Sequence, residues 1–208
     1  GFTGEKGYEI YVRDAHENAE KMWNAVLEAG EEFGLMVIAP AHHRRIAAGI
    51  LSWGQDLDHE TSPFQVNLAY QVPRNKAADY IGKEALEKQR AMMDEGNAPF
   101  KMKMVGITFG GKEITDYAPD FWLIEDTDGN EMGYVTSPWW SPELGTNIGL
   151  AWVPWSSSEV GTKLQVKLPE EYSDGGPAQG EVVEVPFRES VNPNKREVQK
   201  AKGLDYAD

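Results

Sequence analysis

The chain has 208 residues, 40% of them hydrophobic and 11% aromatic, which excludes a disordered protein and suffices for one large domain or two small ones. Its 34 Asp and Glu residues outnumber 20 Lys and Arg residues, and the resulting net charge of −14 argues against a nucleic-acid partner. No cysteine is present for disulfides or thiolate sites, and no apolar run is long enough for a membrane span, so we expect a cytoplasmic protein.

Residues 8–13 alternate large apolar side chains with other residues, and this period of two predicts a strand. Gly4 and Gly7, which precede it, favour a tight turn. Glu9 is predicted to lie on the strand face opposite Ile10. From the pattern alone, Glu9 is either a solvated strand carboxylate or a ligand-binding group.

Residues 14–33 place apolar side chains three and four positions apart, which predicts an amphipathic helix that serves as scaffold. Asp14 is the expected N-cap, with Glu17 as its capping-box partner, and Gly34 is the expected C-cap. A short apolar strand is predicted next, over residues 35–39.

A second helix is predicted over residues 41–50, with Pro40 at its start, where a missing N–H group is tolerated. His42 and His43 are adjacent, so their side chains point about 100° apart on a helix. No carboxylate is spaced to join them as a ligand. We therefore predict no metal site.

The central segment is residues 45–63, which read R-I-A-A-G-I-L-S-W-G-Q-D-L-D-H-E-T-S-P and which we call the hub segment. Its apolar helical end stops near Gly49, because glycine permits a sharp reversal of the backbone. An acidic stretch follows at residues 55–58, and Pro63 then ends any regular element. The pattern fits a chain that leaves a core helix and lays polar groups over a cleft. It fits equally a helix end followed by a solvated acidic loop.

After the hub segment, residues 64–73 alternate like a strand, and this strand carries Tyr70. A helix is predicted from residue 80 to 93, and the polar stretch 94–99 is the best domain boundary. The predicted parts of the chain are residues 1–97, 98–188 and a polar tail, 189–208.

Beyond the boundary the period changes to two, and short strands separated by turn residues predict a small antiparallel barrel or sandwich. Asp128-Gly129 is the strongest hairpin signal. Trp139 and Trp140, on a predicted loop, either pack against the first domain or bind an apolar or cationic group. The predicted strands cover residues 101–109, 121–125, 131–136, 146–153, 163–168 and 181–186.

Several stretches together resemble the aminomethyltransferase family, which comprises the T-protein of the glycine cleavage system and folate-dependent demethylases. They are G-F-T-G-E-K-G-Y-E-I-Y-V at residues 1–12, the helical start of the hub segment, and Y-I-G-K-E-A-L at residues 80–86. The resemblance extends to about Phe187. It implies an α+β fold, namely the C-terminal part of a T-protein-like folate-binding domain followed by a small antiparallel β-barrel or sandwich.

The resemblance also implies tetrahydrofolate as the cofactor. In the family, the first motif and the hub helix line the folate site, and the glutamate at the position of Glu9 suits the adjacent N–H donors of a pterin ring. The residue at the position of Tyr70 is an aromatic that stacks near the folate. The predicted cofactor-binding residues are Glu9, Phe2, Tyr70, Trp53 and Arg45.

The chain departs from the glycine-cleavage members at three positions. Those members carry alanine-arginine-aspartate where this chain has Ala41 and His42, so an arginine expected near the folate is absent, and Ala47 replaces a glutamate. These losses favour a tetrahydrofolate-dependent demethylase, close in pattern to dimethylsulfoniopropionate demethylase, which moves a one-carbon unit from a small methylated donor to N5. The alternatives are a glycine cleavage aminomethyltransferase or a non-catalytic folate-binding module. Whether His42 and His43 replace the lost arginine stays open.

The family's catalytic carboxylate is an aspartate in its N-terminal half, and we find no counterpart in this chain. The catalytic residue is therefore expected outside these 208 residues. The resemblance implies that an N-terminal half, in the same polypeptide or in a partner chain, completes the site.

Overall fold

The computed structural model describes residues 1–39 and 41–187, so Pro40 and the predicted tail, 189–208, lie outside the described residues. The helices are α1 (Ala15–Gly30), α2 (His42–Ala47) and α3 (Lys83–Asp94). The strands are β1 (Met102–Phe109), β2 (Trp122–Glu125), β3 (Glu131–Ser141), β4 (Thr146–Pro154), β5 (Lys163–Val166) and β6 (Ala178–Val183). Short 3-10 helices lie at Glu31–Phe33, Ala69–Gln71 and Trp155–Ser157.

The six strands form a closed antiparallel barrel in the order β1-β4-β3-β2-β5-β6, which confirms the predicted fold class. The hairpin predicted at Asp128-Gly129 joins β2 to β3, and Gly129 has a φ of 87°, which glycine adopts without strain. The barrel interior is filled by fully buried aliphatic side chains, and burial of each contributes about 1.5–3 kcal/mol. They include Ile107, Ile124, Val135, Val153, Leu164 and Val166.

Strand β4 is buried on both faces, because α2 packs against its outer side. Ala151 and Val153 face the barrel interior, whereas Leu150 and Trp152 belong to a second apolar cluster between the barrel and α2. Ile46 of α2 lies in this second cluster and is 1% exposed. The hub segment therefore begins on a helix that the barrel holds in place.

After β6 the chain returns to α2. The Phe187 backbone N–H donates to the carbonyl of Ala47 at 2.9 Å, and Val185 packs with Phe187 against the second cluster. The barrel and α2 are thus joined through the strands and again through this returning segment.

Residues 1–39 contrast with the barrel, because no residue among them is buried. Strands were predicted over residues 8–13 and 35–39, and both predictions are wrong. The backbone at residues 8–12 and 36–39 makes no hydrogen bond to any residue that the structure describes. A strand exists only where a neighbouring strand pairs with it, and these segments have none within the described chain.

Helix α1 begins after Asp14, the predicted N-cap, but the predicted side-chain cap does not form. Asp14 has a left-handed backbone (φ 49°), and its side chain makes no capping hydrogen bond. The α-helix ends at Gly30 and continues as a 3-10 turn that closes at Gly34, which has a φ of 69°. Among the described helices, none combines the length and apolarity needed to cross a lipid bilayer.

Helix α2 is shorter than the predicted 41–50, and its end follows the expected glycine rule. Gly49 has a φ of 68°. The Gly49 N–H donates to the Ile46 carbonyl at 2.9 Å, and the Ile50 N–H donates to the Arg45 carbonyl at 2.8 Å. This pair of bonds is a Schellman motif, which satisfies the last helical carbonyls and reverses the chain.

The strand predicted over residues 64–73 is also wrong. Phe64 and Val66 are buried as the alternation indicates, but Asn67 has a φ of 61°, which breaks an extended chain. The Asn67 side chain donates to the carbonyl of Met104 at 3.0 Å instead. The segment is therefore a series of turns that lies along β1.

Helix α3 covers nearly the predicted range but buries none of its side chains. Polar contacts attach it to the preceding turns. Arg90 donates to the carbonyls of Ala69 and Val72 and lies over the Phe64 ring. Arg74 Nη1 and Nη2 each donate a hydrogen bond to one oxygen of the Asp94 carboxylate.

Candidate functional site

A buried ion pair fixes the hub segment to the barrel. The Arg45 side chain on α2 and the Asp56 side chain on the following loop are both 0% exposed, and Nη1 and Oδ2 lie 2.8 Å apart. Burying two charges costs several kcal/mol unless their remaining hydrogen-bonding capacity is also satisfied. The surroundings of each group therefore decide whether the pair is stable.

Hydrogen bonds satisfy the Asp56 carboxylate on both oxygens. Oδ2 also accepts from the Ser52 backbone N–H at 2.7 Å. Oδ1 accepts from the hydroxyls of Thr136 and Ser137 at 2.5 and 2.6 Å. Because these hydroxyls belong to β3, the carboxylate connects the loop directly to the barrel wall.

A β-bulge places both hydroxyls on the same carboxylate. Consecutive residues of a regular strand point to opposite faces. In β3 the register to β4 shifts between Val135 and Ser137, so that Thr136 is the extra residue. Such a bulge re-aims side chains, and here both Thr136 and Ser137 reach Asp56.

The Arg45 guanidinium has all five N–H groups engaged within the described chain. Its acceptors are Asp56 Oδ2 at 2.8 Å, the Ile50 carbonyl at 3.1 Å, Gln55 Oε1 at 3.2 Å, Ser137 Oγ at 2.7 Å and His42 Nδ1 at 3.5 Å. A guanidinium has only five donors, so the geometry gives Arg45 a supporting role beneath the site. Its predicted contact with the cofactor stays a prediction.

The loop after α2 presents an exposed aromatic ring on a braced backbone. Trp53 is 60% exposed and meets His59 edge-on, with ring centroids 4.8 Å apart. The loop closes through a hydrogen bond from the Gly54 N–H to the Leu57 carbonyl at 2.9 Å. Trp152 Nε1 donates to the Asp56 carbonyl at 2.9 Å, which ties the same loop to β4. Trp53 can therefore contact a ligand without ordering a mobile loop first.

The N-terminal motif lies against α2 through two contacts. The Phe2 ring lies 5.9 Å from the Arg45 guanidinium carbon, and Glu5 pairs with Arg44 at 2.9 Å. The structure thus brings two predicted site residues, Phe2 and Arg45, together.

The remaining predicted site residues are exposed. Glu9 accepts a hydrogen bond from the Tyr11 hydroxyl at 2.6 Å, and this bond raises the pKa of Tyr11. Tyr70 accepts from Gln71 Nε2 at 3.1 Å. Within residues 1–39 and 41–187, no hydrogen bond or ring contact joins Glu9, Tyr70 and Trp53 to one another.

His42 packs against two aromatic rings where α2 contacts the barrel. Its ring stacks on that of Trp139, with ring centroids 5.6 Å apart and an interplanar angle of 24°. The centroid of the Tyr117 ring lies 5.3 Å from that of His42. Partial burial and the nearby Arg45 charge lower the pKa of His42, and the Asp56 charge offsets part of this, so the environment favours the neutral imidazole. Trp139 belongs to the second apolar cluster, which favours the packing interpretation of that residue.

The sequence interpretation missed the Asp56 network and Tyr117. It treated residues 55–58 as either cleft-lining or solvated, although Asp56 is 1% exposed. The two hydroxyls that satisfy it lie 80 and 81 positions further along the chain. The only local signal was an arginine and an aspartate on either side of a glycine reversal, which is weak.

Two protein-family models match separate stretches of the chain. The model of the GCVT N-terminal domain matches residues 1–76, and that of the glycine cleavage T-protein C-terminal barrel domain matches residues 103–188. The chain belongs to the glycine cleavage T-protein family. The resemblance expected from the motifs at residues 1–12 and in the hub segment is confirmed.

Individual relatives agree with the family. The chain is 38% identical over 153 residues to an aminomethyltransferase of Geobacillus sp. (strain WCH70), which is 73% of this chain and 39% of the relative. It is 32% identical over 191 residues to an aminomethyltransferase of Shouchella clausii (strain KSM-K16), which is 90% of this chain and 47% of the relative. The chain thus spans less than half the length of these relatives.

A solved structure supports the fold. The crystal structure of glycine cleavage system aminomethyltransferase T from Bartonella henselae superposes with a TM-score of 0.57 at 23% identity. The match covers 71% of this chain and 38% of that chain.

Proposed function

We propose that the chain is the C-terminal part of a tetrahydrofolate-dependent one-carbon transferase that moves a methyl group from a small methylated donor to N5 of tetrahydrofolate. The similarity, over 73–90% of this chain, to proteins named aminomethyltransferases supports the one-carbon transfer. The choice of a methyl donor rests instead on the departures from the family pattern at Ala41, His42 and Ala47. Membership of the family makes the one-carbon transfer the first activity to test.

The chemistry of the exposed residues fits a reduced folate. Tyr11 uses one acceptor position of the Glu9 carboxylate, which leaves the other oxygen for the adjacent N–H donors of a pterin ring. The exposed rings of Phe2 and Trp53 offer apolar faces for flat groups. When bound, tetrahydrofolate supplies the nitrogen that accepts the one-carbon unit.

The environment of α2 supports the demethylase interpretation. Ala47, at the position of the family's glutamate, is 5% exposed and belongs to the second apolar cluster. A carboxylate at this position would have to be buried among apolar side chains, which is costly without a partner. Ala41 likewise brings no charge. The chain therefore lacks the arginine and the glutamate of the glycine-cleavage pattern.

Aminomethyl transfer is the second candidate, because the similar proteins of Geobacillus and Shouchella clausii are named for it. The two activities differ in their product. Methyl transfer yields 5-methyl-tetrahydrofolate, whereas aminomethyl transfer yields 5,10-methylene-tetrahydrofolate. A non-catalytic folate-binding module would yield neither.

The surface of residues 1–39 supports a further polypeptide as partner. Tyr8 and Tyr11 are 86% and 87% exposed, and the backbone of residues 8–12 is open to pairing. An exposed extended segment with apolar side chains is a site for β-strand addition. We propose that the N-terminal half of the folate-binding domain, in the same polypeptide or in a second chain, covers this surface and brings the catalytic carboxylate.

Native mass spectrometry of the purified protein, with and without tetrahydrofolate, tests these proposals first. We expect one folate mass to be added to an assembly that contains the N-terminal half. Incubation with methylated sulfonium, amine or ether donors should then yield 5-methyl-tetrahydrofolate. Formation of the 5,10-methylene product from an aminomethyl donor would favour the second candidate. Folate binding without either product would leave the binding module, and no folate adduct in the complete assembly would contradict all three.

A further inference from the structure

His42 lies where the two parts of the molecule meet. Helix α2 belongs to the stretch that matches the N-terminal domain, whereas Tyr117 and Trp139 belong to the stretch that matches the barrel domain. Ligand sites occur preferentially at such contacts between domains. The N-terminal motif reaches the same helix through Phe2 and Arg45, so His42 is close to residues already predicted to line the site.

The long hydrogen bond from Arg45 favours one tautomer of the imidazole. Arg45 Nε carries a proton and donates to His42 Nδ1 at 3.5 Å, so Nδ1 is the acceptor. In a neutral imidazole the single proton then resides on Nε2. Arg45 cannot turn away readily, because its other four N–H groups are held by Asp56, Gln55 and their neighbours.

The Nε2–H group of His42 has no hydrogen-bond acceptor within residues 1–39 and 41–187. The ring is in contact with both Trp139 and Tyr117, and it is only partly buried. A donor that is fixed in direction and left without a protein acceptor is preorganised for a ligand, because no side-chain entropy is lost when the ligand binds.

We propose that His42 is a specificity-determining residue whose Nε2–H donates a hydrogen bond to a carboxylate or carbonyl oxygen of the bound ligand. The inference rests on the proposed function. Two molecules could bring such an oxygen, namely the benzoyl-glutamate part of tetrahydrofolate and a carboxylate of the methyl donor. The chemistry of the contact is the same for both.

Packing alone does not account for the residue. The stacked contact with Trp139 needs only a flat ring, and a phenyl ring would provide it. The bond from Arg45 needs only an acceptor at the position of Nδ1. Neither contact uses Nε2. Variants can therefore test the Nε2–H donor separately from the flat ring and from the Nδ1 acceptor.

Three substitutions of His42 test its flat ring, its acceptor for Arg45 and its Nε2–H donor. His42→Phe keeps the ring and removes both nitrogens, His42→Asn keeps an acceptor for Arg45 and removes the distal donor, and His42→Gln can place an amide N–H near the position of Nε2. His16→Asn, on exposed α1, is the matched control. All are assayed in the complete assembly for tetrahydrofolate affinity, the KM of each substrate and kcat.

We expect His42→Asn and His42→Phe each to raise one KM by about 3- to 10-fold, as the loss of one hydrogen bond implies, with kcat changed less. His42→Gln should recover most of the loss, and His16→Asn should change nothing. A rise confined to tetrahydrofolate identifies the folate as the source of the oxygen, and a rise confined to the donor identifies the donor.

The proposal is overturned if His42→Asn retains both KM values while the wild-type protein binds folate and turns over. It is also overturned if His42→Phe behaves as the wild type while His42→Asn does not, since the ring would then matter and the donor would not. If the wild-type assembly binds no folate, the proposed function fails and this inference fails with it. Denaturant unfolding of each variant shows whether it is folded, and His42→Asn keeps the test decisive should His42→Phe not fold.

Discussion

The barrel and residues 1–39 use the same kinds of side chain with opposite results. In the barrel every strand has two neighbours, and residues such as Ile107 and Ile124 are 0% exposed. In residues 1–39, Ile10 is 58% exposed although it sits in an equally regular alternating pattern. Alternating apolar residues indicate which face of a strand must be buried, but only a partner surface can bury that face. The barrel contains its own partner surfaces, whereas residues 8–12 pair with no strand within the described chain.

The junction of α2 with the barrel lies between these extremes. Helix α2 has six residues, which is too short to be stable alone. Arg45, Ile46 and Ala47 are nevertheless buried, because β3 and β4 lie against them. The following predictions measure how far each region depends on its partner.

The largest effect is expected at the buried ion pair. Asp56→Asn removes the negative charge and leaves Arg45 buried without a counter-ion, which should lower the free energy of unfolding by about 3–5 kcal/mol. Asp58→Asn, two residues away on an exposed position, should cost less than about 0.5 kcal/mol. Urea unfolding followed by tryptophan fluorescence measures both. Equal losses in the two variants would show that the ion pair does not hold the hub segment on the barrel.

We expect the removal of a large apolar side chain to lower the free energy of unfolding more in the barrel than in residues 1–39. Ile107→Ala should lower the free energy of unfolding by about 2–5 kcal/mol, because the barrel interior cannot collapse around the space. Ile10→Ala should change it by less than about 0.5 kcal/mol in this chain. In an assembly that covers residues 8–12, the cost of Ile10→Ala should rise. A cost that stays small in such an assembly would place the partner elsewhere.

A smaller effect is expected at the end of α2. Gly49 and Gly54 both have left-handed backbones, with φ of 68° and 80°, so alanine is strained at either position. A Cβ at Gly49 would lie 2.3 Å from Val185 Cγ1, whereas nothing lies within 4 Å at Gly54. Gly49→Ala should therefore cost about 1–3 kcal/mol more than Gly54→Ala in denaturant unfolding. Similar costs would mean that the segment after β6 does not press on α2.

The smallest effect is a pH dependence that originates at His42. Burial and the Arg45 charge lower the pKa of His42 in the folded protein, and Asp56 offsets part of this. The unfolded chain then binds the proton more readily, so the stability contribution is complete above a pH of about 6.5 and falls as the pH drops toward the folded pKa. His42→Phe should lose less stability than the wild type between pH 7.5 and 5.5. Parallel stability curves would contradict the lowered pKa.

The sequence alone was sufficient for the barrel architecture and for the end of α2. It was wrong about Trp139 and Trp140, which were predicted on a loop but lie in β3, and it placed β6 three residues too late. The barrel strands are short and are separated by turn residues such as Asp128-Gly129, and each strand finds its partner strands within this chain. Gly49 ends α2 for a local reason, since glycine accepts the left-handed backbone. The motif at residues 1–12 and the hub segment together were sufficient to indicate the family.

Tertiary structure alone decided what residues 8–12 become and what Asp56 does. The period of residues 8–13 is compatible with a strand, but pairing is a property of two segments, and the second is not in the described chain. Asp56 reads as an exposed acidic residue, yet a bulge in β3 brings two hydroxyls to it from 80 and 81 positions away. Periodicity is local and can be read from one segment, whereas the burial of a charge depends on groups that meet only after folding.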